Sequence, residues 1–305
     1  MVKRFLKVSV VIPTYNSANT ITDCLNGILE QDYDNLEIIV VDDCSKDNTA
    51  SIVSSFPEVK LLINEKNKGP SFARNVGVKN SNGEIVILLD SDSWVEDRTW
   101  ASRHVKAHEK NPECLIGGGI QGTGRGIIAK AEKYFWVTNI PNSGNRIPFA
   151  YGHLVTNNLS FSRQIFDKIG GFEERIFSGE DVLFCHQATK LGIKILFFSD
   201  IIIFHHDREK IGTVLKRSFK YGQDRLFLKN RNVYKKYGFL FSENPFLGIL
   251  FSPFIALLGT IRFIIGWWRY DKMVLAYSPI IFLNSFFMAL GIIAVGAKKI
   301  LKIRK

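Results

Sequence analysis

Cysteine is scarce, and its spacing excludes two kinds of scaffold. The four cysteines of this 305-residue chain, Cys24, Cys44, Cys114 and Cys185, are widely scattered and include no Cys-x-x-Cys pair. That argues against a zinc site and a disulfide framework, and suits a reducing compartment. Phosphate-loop signatures are also missing. There is no Gly-x-x-x-x-Gly-Lys-Ser/Thr, and the first apolar strand is followed by Thr14-Tyr15-Asn16-Ser17 where a dinucleotide fingerprint would place Gly-x-Gly-x-x-Gly. No secretory leader is expected, because Lys3, Arg4 and Lys7 interrupt any apolar stretch, so the N-terminal part is expected to stay cytoplasmic. Acidic residues are short only in the last third. From Asp207 onward 18 Lys and Arg face 5 Asp and Glu, a net +13 within a whole-chain +11, which leaves −2 for residues 1–206. This charge flanks long apolar segments and comes without a nucleic-acid recognition motif. An anionic membrane surface, and no nucleic acid, is the expected partner.

What is present begins with Ile85-Val86-Ile87-Leu88-Leu89-Asp90-Ser91-Asp92-Ser93, an apolar run that stops at two carboxylates. After Asn82-Gly83, it reads as a strand buried on both faces, in the middle of a parallel sheet. Alternate strand residues point the same way, so Asp90 and Asp92 are candidates for one site where hard oxygen donors suit Mg²⁺ or Mn²⁺. Capping of the next helix is the plain alternative. Before this run, strands at 7–13, 36–41 and 59–63 alternate with helices after Ser17, near 49–55 and at about 71–80. Such alternation predicts right-handed crossovers and a doubly wound parallel α/β sheet, with ligands beyond the carboxyl ends of its strands. Tyr15, Asp43 and Asp92 all fall there.

Four segments then carry a family likeness. Val8-Ser9-Val10-Val11-Ile12-Pro13-Thr14-Tyr15-Asn16, Val40-Val41-Asp42-Asp43-Cys44-Ser45-Lys46-Asp47-Asn48-Thr49, Asn67-Lys68-Gly69-Pro70-Ser71-Phe72-Ala73-Arg74-Asn75 and Leu89-Asp90-Ser91-Asp92 resemble, in that order and spacing, the family 2 glycosyltransferases of the Rossmann-like GT-A fold. The resemblance implies an inverting enzyme that takes a sugar from a nucleotide diphosphate, with Mg²⁺ or Mn²⁺ holding the diphosphate. Carried over by motif, Pro13, Tyr15 and Asp43 hold the base, with Asp42 beside them. Arg74 faces the diphosphate, Asp90 and Ser91 belong to the nucleotide-sugar side, and Asp92 with Asp90 serves the ribose and metal. The residue types suit these roles: a carboxylate accepts base N–H groups, an aromatic ring stacks, and a guanidinium forks onto phosphate oxygens.

The region after residue 118 is expected to build the acceptor side. Gly117-Gly118-Gly119 and Gly122-Thr123-Gly124 mark a flexible passage, linker or lid. Thr156 to Arg163 reads as a strand entering a short helix, and Ser178-Gly179-Glu180-Asp181 as a turn with two acids at a helix start, a placement the helix dipole favours by itself. The resemblance implies more, because its general base lies there. Asp181 is the expected base, since displacement at an anomeric carbon needs a carboxylate to take the acceptor proton, and Glu180 is its neighbour. His205-His206 ends another apolar strand. The resemblance implies a histidine completing the metal site, and His205 is chosen over His206. No Gln-x-x-Arg-Trp follows the Glu-Asp pair, the nearest stretch being Gln187-Ala188-Thr189-Lys190. Processive synthases grip a growing chain with that motif, so single addition is expected.

Beyond Lys210 the chain reads as an amphipathic interfacial helix at 211–230, then as two apolar segments at 245–268 and 273–297 long enough to cross a bilayer. Positive-inside logic puts both ends in the cytoplasm, with Arg269 to Lys272 in an outer loop. The expected organisation is a nucleotide-sugar half at 1–118, an acceptor half at 119–209, an interfacial region at 210–244, and a transmembrane helical hairpin with a basic tail at 245–305. The chain reads as a multi-pass membrane glycosyltransferase whose acceptor is a lipid or lipid-linked saccharide. Two alternatives are a polyprenyl-phosphate sugar transferase and a membrane protein that binds nucleotide-sugar without turnover.

Overall fold

The β-branched runs form strands buried on both faces. The computed structural model describes residues 6–135, 153–231, 233 and 245–303. In it β1 (Val8–Thr14), β2 (Leu36–Asp42), β3 (Val59–Ile63) and β4 (Ile85–Leu88) pair in parallel, in the order β3-β2-β1-β4. Val8, Val10, Ile12, Val40, Val86 and Ile87 join α1 (Ile21–Leu29) in one core, while Ile39 and Val41 meet Ala73 of α3 (Pro70–Lys79) on a second. Burial on both faces explains why these strands read as unbroken apolar runs. A short helix, α2 (Thr49–Ser54), lies between β2 and β3 in sequence.

Past β4 the sheet departs from the doubly wound expectation. Asp90 and Asp92 lie beyond the end of β4, in the turn to β5 (Ser93–Trp94), so strand alternation does not govern them. After α4 (Trp100–Lys110), β6 (Cys114–Gly122) is laid down one place away from β4, and β7 (Leu159–Ser162) fills the gap from the opposite direction. The chain continues through α6 (Arg163–Ile169) and α7 (Glu180–Lys190) to β8 (Lys194–His205), which runs parallel to β6 and antiparallel to β5. The result is a mixed eight-stranded sheet, β3-β2-β1-β4-β7-β6-β8-β5.

The glycine run is neither linker nor lid, because Gly117-Gly118-Gly119 lies inside β6. A Cβ on Gly118 would fall 2.0 Å from the Ile201 carbonyl oxygen and 2.4 Å from Asn158 Nδ2. Glycine is required where β8 bulges towards it: pairing jumps from Gly118 with Phe198 to Gly119 with Ile202, leaving Ser199, Asp200 and Ile201 out of register. Asn158 Nδ2 donates to the carbonyls of Gly119 and Ile201, each at 3.0 Å. Gly117 to Gly122 also spells Gly-x-Gly-x-x-Gly, but within a strand and not at a strand-to-helix turn, so it is no dinucleotide fingerprint.

The chain divides into two compact units. The sheet and its helices form the first. The second is helical: α5 (Ile127–Glu132), α8 (Ile211–Asn230), α9 (Pro245–Trp267) and α10 (Ser278–Ile303), with the short stretch Arg175–Gly179. Glu132, 1% exposed, accepts from Arg217 Nη2 at 2.6 Å, with Arg208 Nη1 at 3.7 Å. Gly248–Trp267 and Ser278–Lys298 are long and apolar enough to cross a membrane. Residues 232 and 234–244 of the expected interfacial region, and Arg304 and Lys305 of the basic tail, lie outside the described residues.

Candidate active site

The loops after β1 and β2 are laced together before any ligand is considered. Asn16 and Cys44 hold positive φ angles of 53° and 65°. From there the Asn16 amide donates to Ser45 Oγ at 2.9 Å, Asn16 Oδ1 accepts from Lys46 N at 2.8 Å, and Ser17 N donates to Thr49 Oγ1 at 2.8 Å. These bonds explain much of the polar sequence in the first two motifs. They leave Tyr15 at the rim, 43% exposed, with Pro13 buried at the end of β1.

Asp42 and Asp43 are both buried, and they do different work. Asp42 accepts from the Ser45 amide at 3.2 Å and from the Ser45 hydroxyl. Asp43 accepts from Asn64 Nδ2 at 2.8 Å, Lys68 N at 3.0 Å and Gly69 N at 2.6 Å, pinning the loop that opens α3. Ser91 Oγ shares a 2.8 Å hydrogen bond with Ser17 Oγ, tying the Asp90-Ser91-Asp92 turn to the β1 loop.

Arg74 does not stand open for a diphosphate. It is 3% exposed, and its Nη2 donates to Asp90 Oδ1 while Nη1 donates to Glu180 Oε1, both at 2.7 Å. The two acids hold the guanidinium well above its usual range against the cost of burial. Burial pushes the Glu180 carboxyl up, to about 7, with Arg74 pulling the other way and Asp181 adding to the rise. Glu180 thus braces the floor of the site through Arg74. Asp90 likewise pairs with Arg74, through Oδ1.

Asp92 and His205 do meet. His205 Nε2 lies 3.5 Å from Asp92 Oδ2, whereas His206 turns away to Asp23 at 3.2 Å and stacks obliquely on Trp94 with ring centroids 4.4 Å apart. Among the described residues no group of three or more His, Cys, Asp or Glu side chains is gathered to hold a metal ion. One carboxylate and one imidazole nevertheless fit Mg²⁺ or Mn²⁺ if phosphate oxygens and water fill the other positions, the usual habit of these ions. The surrounding charge favours that arrangement. Asp90, Glu180 and Asp181 lie close enough to influence one another, and Arg74 is already paired twice.

Asp181 sits in the first turn of α7, its side chain 17% exposed, with His153 Nε2 3.8 Å from its Oδ2. His153 was not legible in the sequence, because no local pattern marks it. Asn157 is a second residue without a local signal: its Oδ1 accepts from the Asp90 amide at 3.0 Å and its Nδ2 donates to Ser93 Oγ at 2.8 Å, clamping the acidic turn from both sides. Asn75 is a third, holding the turn after α6 through Phe172 N and O at 2.8 and 2.9 Å.

Comparison with known proteins places the chain in a family and a fold. Residues 9–170 match the sequence family described as Glycosyl transferase family 2. Glycosyltransferase AglE of Haloferax volcanii is 31% identical over 225 residues, covering 72% of this chain and 73% of its own. The Methanococcus voltae enzyme named dolichyl N-acetyl-alpha-D-glucosaminyl phosphate 3-beta-D-2,3-diacetamido-2,3-dideoxy-beta-D-glucuronosyltransferase is 24% identical over 284 residues, covering 85% and 88%. Mannosyltransferase PcManGT from Pyrobaculum calidifontis, solved with GDP-Man and Mn²⁺, superposes with a TM-score of 0.61 over 99% of this chain and 89% of that one. Its 21% identity bears on the fold alone.

Proposed function

Because the chain belongs to glycosyl transferase family 2 and has the GT-A fold, we propose that it transfers a sugar, with inversion, from a nucleotide-diphosphate sugar to a hydroxyl of a lipid or lipid-linked saccharide at the cytoplasmic face of a membrane. The observation that carries the mechanism is the division of labour between adjacent acids. Glu180 is locked to Arg74 at 2.7 Å, while Asp181 keeps a partly exposed carboxylate at the head of α7.

The donor base sits against Tyr15 and Pro13, with Asp42 and Asp43 shaping the loops around it. Asp92 and His205 would hold Mg²⁺ or Mn²⁺, and such an ion would supply positive charge to offset that of the diphosphate leaving group. Asp181 takes the proton of the acceptor hydroxyl as its oxygen bonds to the anomeric carbon. The bond from that carbon to the diphosphate oxygen breaks on the opposite face, and the electron pair leaves with the nucleoside diphosphate. Direct displacement inverts the centre. The lipid-linked acceptor is supported by the activity for which the Methanococcus voltae relative is named and by the apolar pair α9 and α10.

Replacing the base tests this reading. Asp181→Asn preserves shape and removes basicity, so kcat is expected to fall at least about a hundredfold with donor affinity nearly unchanged. Near-normal turnover by the purified variant would remove Asp181 from the mechanism.

A further inference from the structure

The turn between α9 and α10 is bonded to a segment that a bilayer crossing would leave on the other side. Tyr134 Oη donates to Asp271 Oδ2 at 2.9 Å, and Trp267 Nε1 donates to the Tyr134 carbonyl at 3.3 Å. The Tyr134 ring stands edge-on to Trp267 at 5.3 Å and against Tyr277 at 5.6 Å. Tyr134 follows closely after Glu132, which is ion-paired with Arg217 of α8 and with Arg208. Arg208 comes only a few residues after His205. Both flanks of the turn are thus tied to residues that leave the catalytic sheet directly.

The middle of α10 points the same way. Ser218 of α8 is hydrogen-bonded to Asn284, and the backbones touch further on: a Cβ on Gly222 would fall 1.9 Å from the Met288 carbonyl oxygen, and one on Gly291 2.0 Å from that of Phe219. Met288 lies near the centre of the apolar segment Ser278–Lys298. Lys216, Arg217, Lys220, Asp224 and Arg225 flank the same contact on α8. Asp224 also accepts from the amides of Phe177 and Ser178 at 3.1 and 3.0 Å, in a stretch joined at both ends to the catalytic unit. A crossing α10 would carry these charges to bilayer mid-depth, where each is strongly unfavourable. Meanwhile α9 presents an uncovered stripe, with Leu250, Phe254, Leu257, Ile261 and Ile265 exposed to 70, 56, 48, 42 and 64%.

We propose that α9 and α10 do not cross the membrane. They form a hairpin embedded in one leaflet from the catalytic side, with the α9 stripe against acyl chains and the basic surplus of this part of the chain against anionic headgroups. The expected outer loop at Arg269 to Lys272 then stays on the catalytic side. This proposal rests on the membrane-bound reading and replaces only its topology.

Two measurements test it on the full chain. In the first, Arg269→Cys and Lys272→Cys are challenged with a membrane-impermeant maleimide in intact cells and in inverted membrane vesicles, with the partly exposed native Cys44 marking the catalytic side. Both positions are expected to react together with Cys44 in inverted vesicles and to stay unlabelled in intact cells. Labelling from intact cells, or protection of both positions from both sides, would overturn the proposal. In the second, flotation of purified protein with phosphatidylglycerol–phosphatidylcholine vesicles is expected to weaken at least tenfold in Leu250→Glu/Ile261→Glu. Unchanged flotation of the variant, with loss instead of a dimer in sedimentation, would assign the stripe to a second copy and also overturn it. A wild-type chain that does not float would sink the membrane reading itself, and the topology with it.

Discussion

Arg74 and Glu180, 106 residues apart in the chain, meet at 2.7 Å in the floor of the site, and Asp90 takes the other arm of the same guanidinium. The pair fixes the start of α7, and with it the neighbouring Asp181, relative to the acidic turn. Arg74→Ala would leave two buried or half-buried acids without their cation. Breaking a buried pair from one side costs about 3–5 kcal/mol. A large drop in the unfolding midpoint of purified protein is expected, and one smaller than a degree or two would show that the brace is not structural.

Metal dependence is expected to reside in Asp92 and His205. Without a cation a diphosphate would meet a cluster of carboxylates and like-charge repulsion. Chelation by EDTA is expected to abolish turnover and weaken nucleotide binding in calorimetry. Asp92→Ala is expected to bind nucleotide equally with and without Mn²⁺. Full activity in EDTA would remove the metal from this site.

A buried histidine pair makes stability depend on pH. His104 Nδ1 and His108 Nε2 both contact Ser160 Oγ at 2.8 Å, and His104 Nε2 contacts Asn158 Oδ1 at 3.1 Å. Burial lowers His104 from 6.5 to about 3 and His108 from 6.5 to about 4. The unfolded chain therefore binds more protons between these values and 6.5. Stability is complete above pH 6.5 and is lost as pH falls towards 4, by roughly 1.4 kcal/mol per pH unit for each histidine. Denaturant midpoints measured from pH 7 to 4.5 are expected to fall, and less so in His108→Gln. A flat profile would mean that neither histidine is held neutral by the fold.

Gly118→Ala is expected to destabilise the sheet, since its methyl would land 2.0 Å from the Ile201 carbonyl oxygen. Overpacking of this kind typically costs about 1–3 kcal/mol, and the obstacle here is backbone. Thermal unfolding with Gly126→Ala as control, where nothing lies within 4 Å of the added carbon, isolates the effect.

The first four strands are legible in the sequence because burial on both faces writes itself as unbroken runs such as Val8 to Ile12 and Ile85 to Leu89. The extents of α8 and of the apolar stretches are legible for a similar reason. The antiparallel insertion of β7 is not, because Leu159-Ser160-Phe161-Ser162 alternates in the same way whichever neighbour it pairs with. The glycines of β6 mislead, since three in a row look alike whether they serve freedom or close approach. In the site, Asp92 and Asp181 can be picked out by motif, whereas Arg74's burial depends on Glu180, far away in sequence. Asn157 and His153 act through contacts that no local spacing records.

The irregularity between β6 and β8 has a chemical consequence. Ser199, Asp200 and Ile201 are surplus to the ladder, and a surplus of odd length inverts which face every later residue of β8 presents. His205 reaches Asp92 because of that inversion. Deleting Asp200 alone would shorten the surplus to two residues while Ile202 stays opposite Gly119 and His205 opposite Ser93, whereas a one-residue slip of the ladder beyond the bulge would bring His206 to that position. Where the ladder resumes beyond the bulge, and not the dipeptide itself, thus decides which of the two imidazoles faces Asp92.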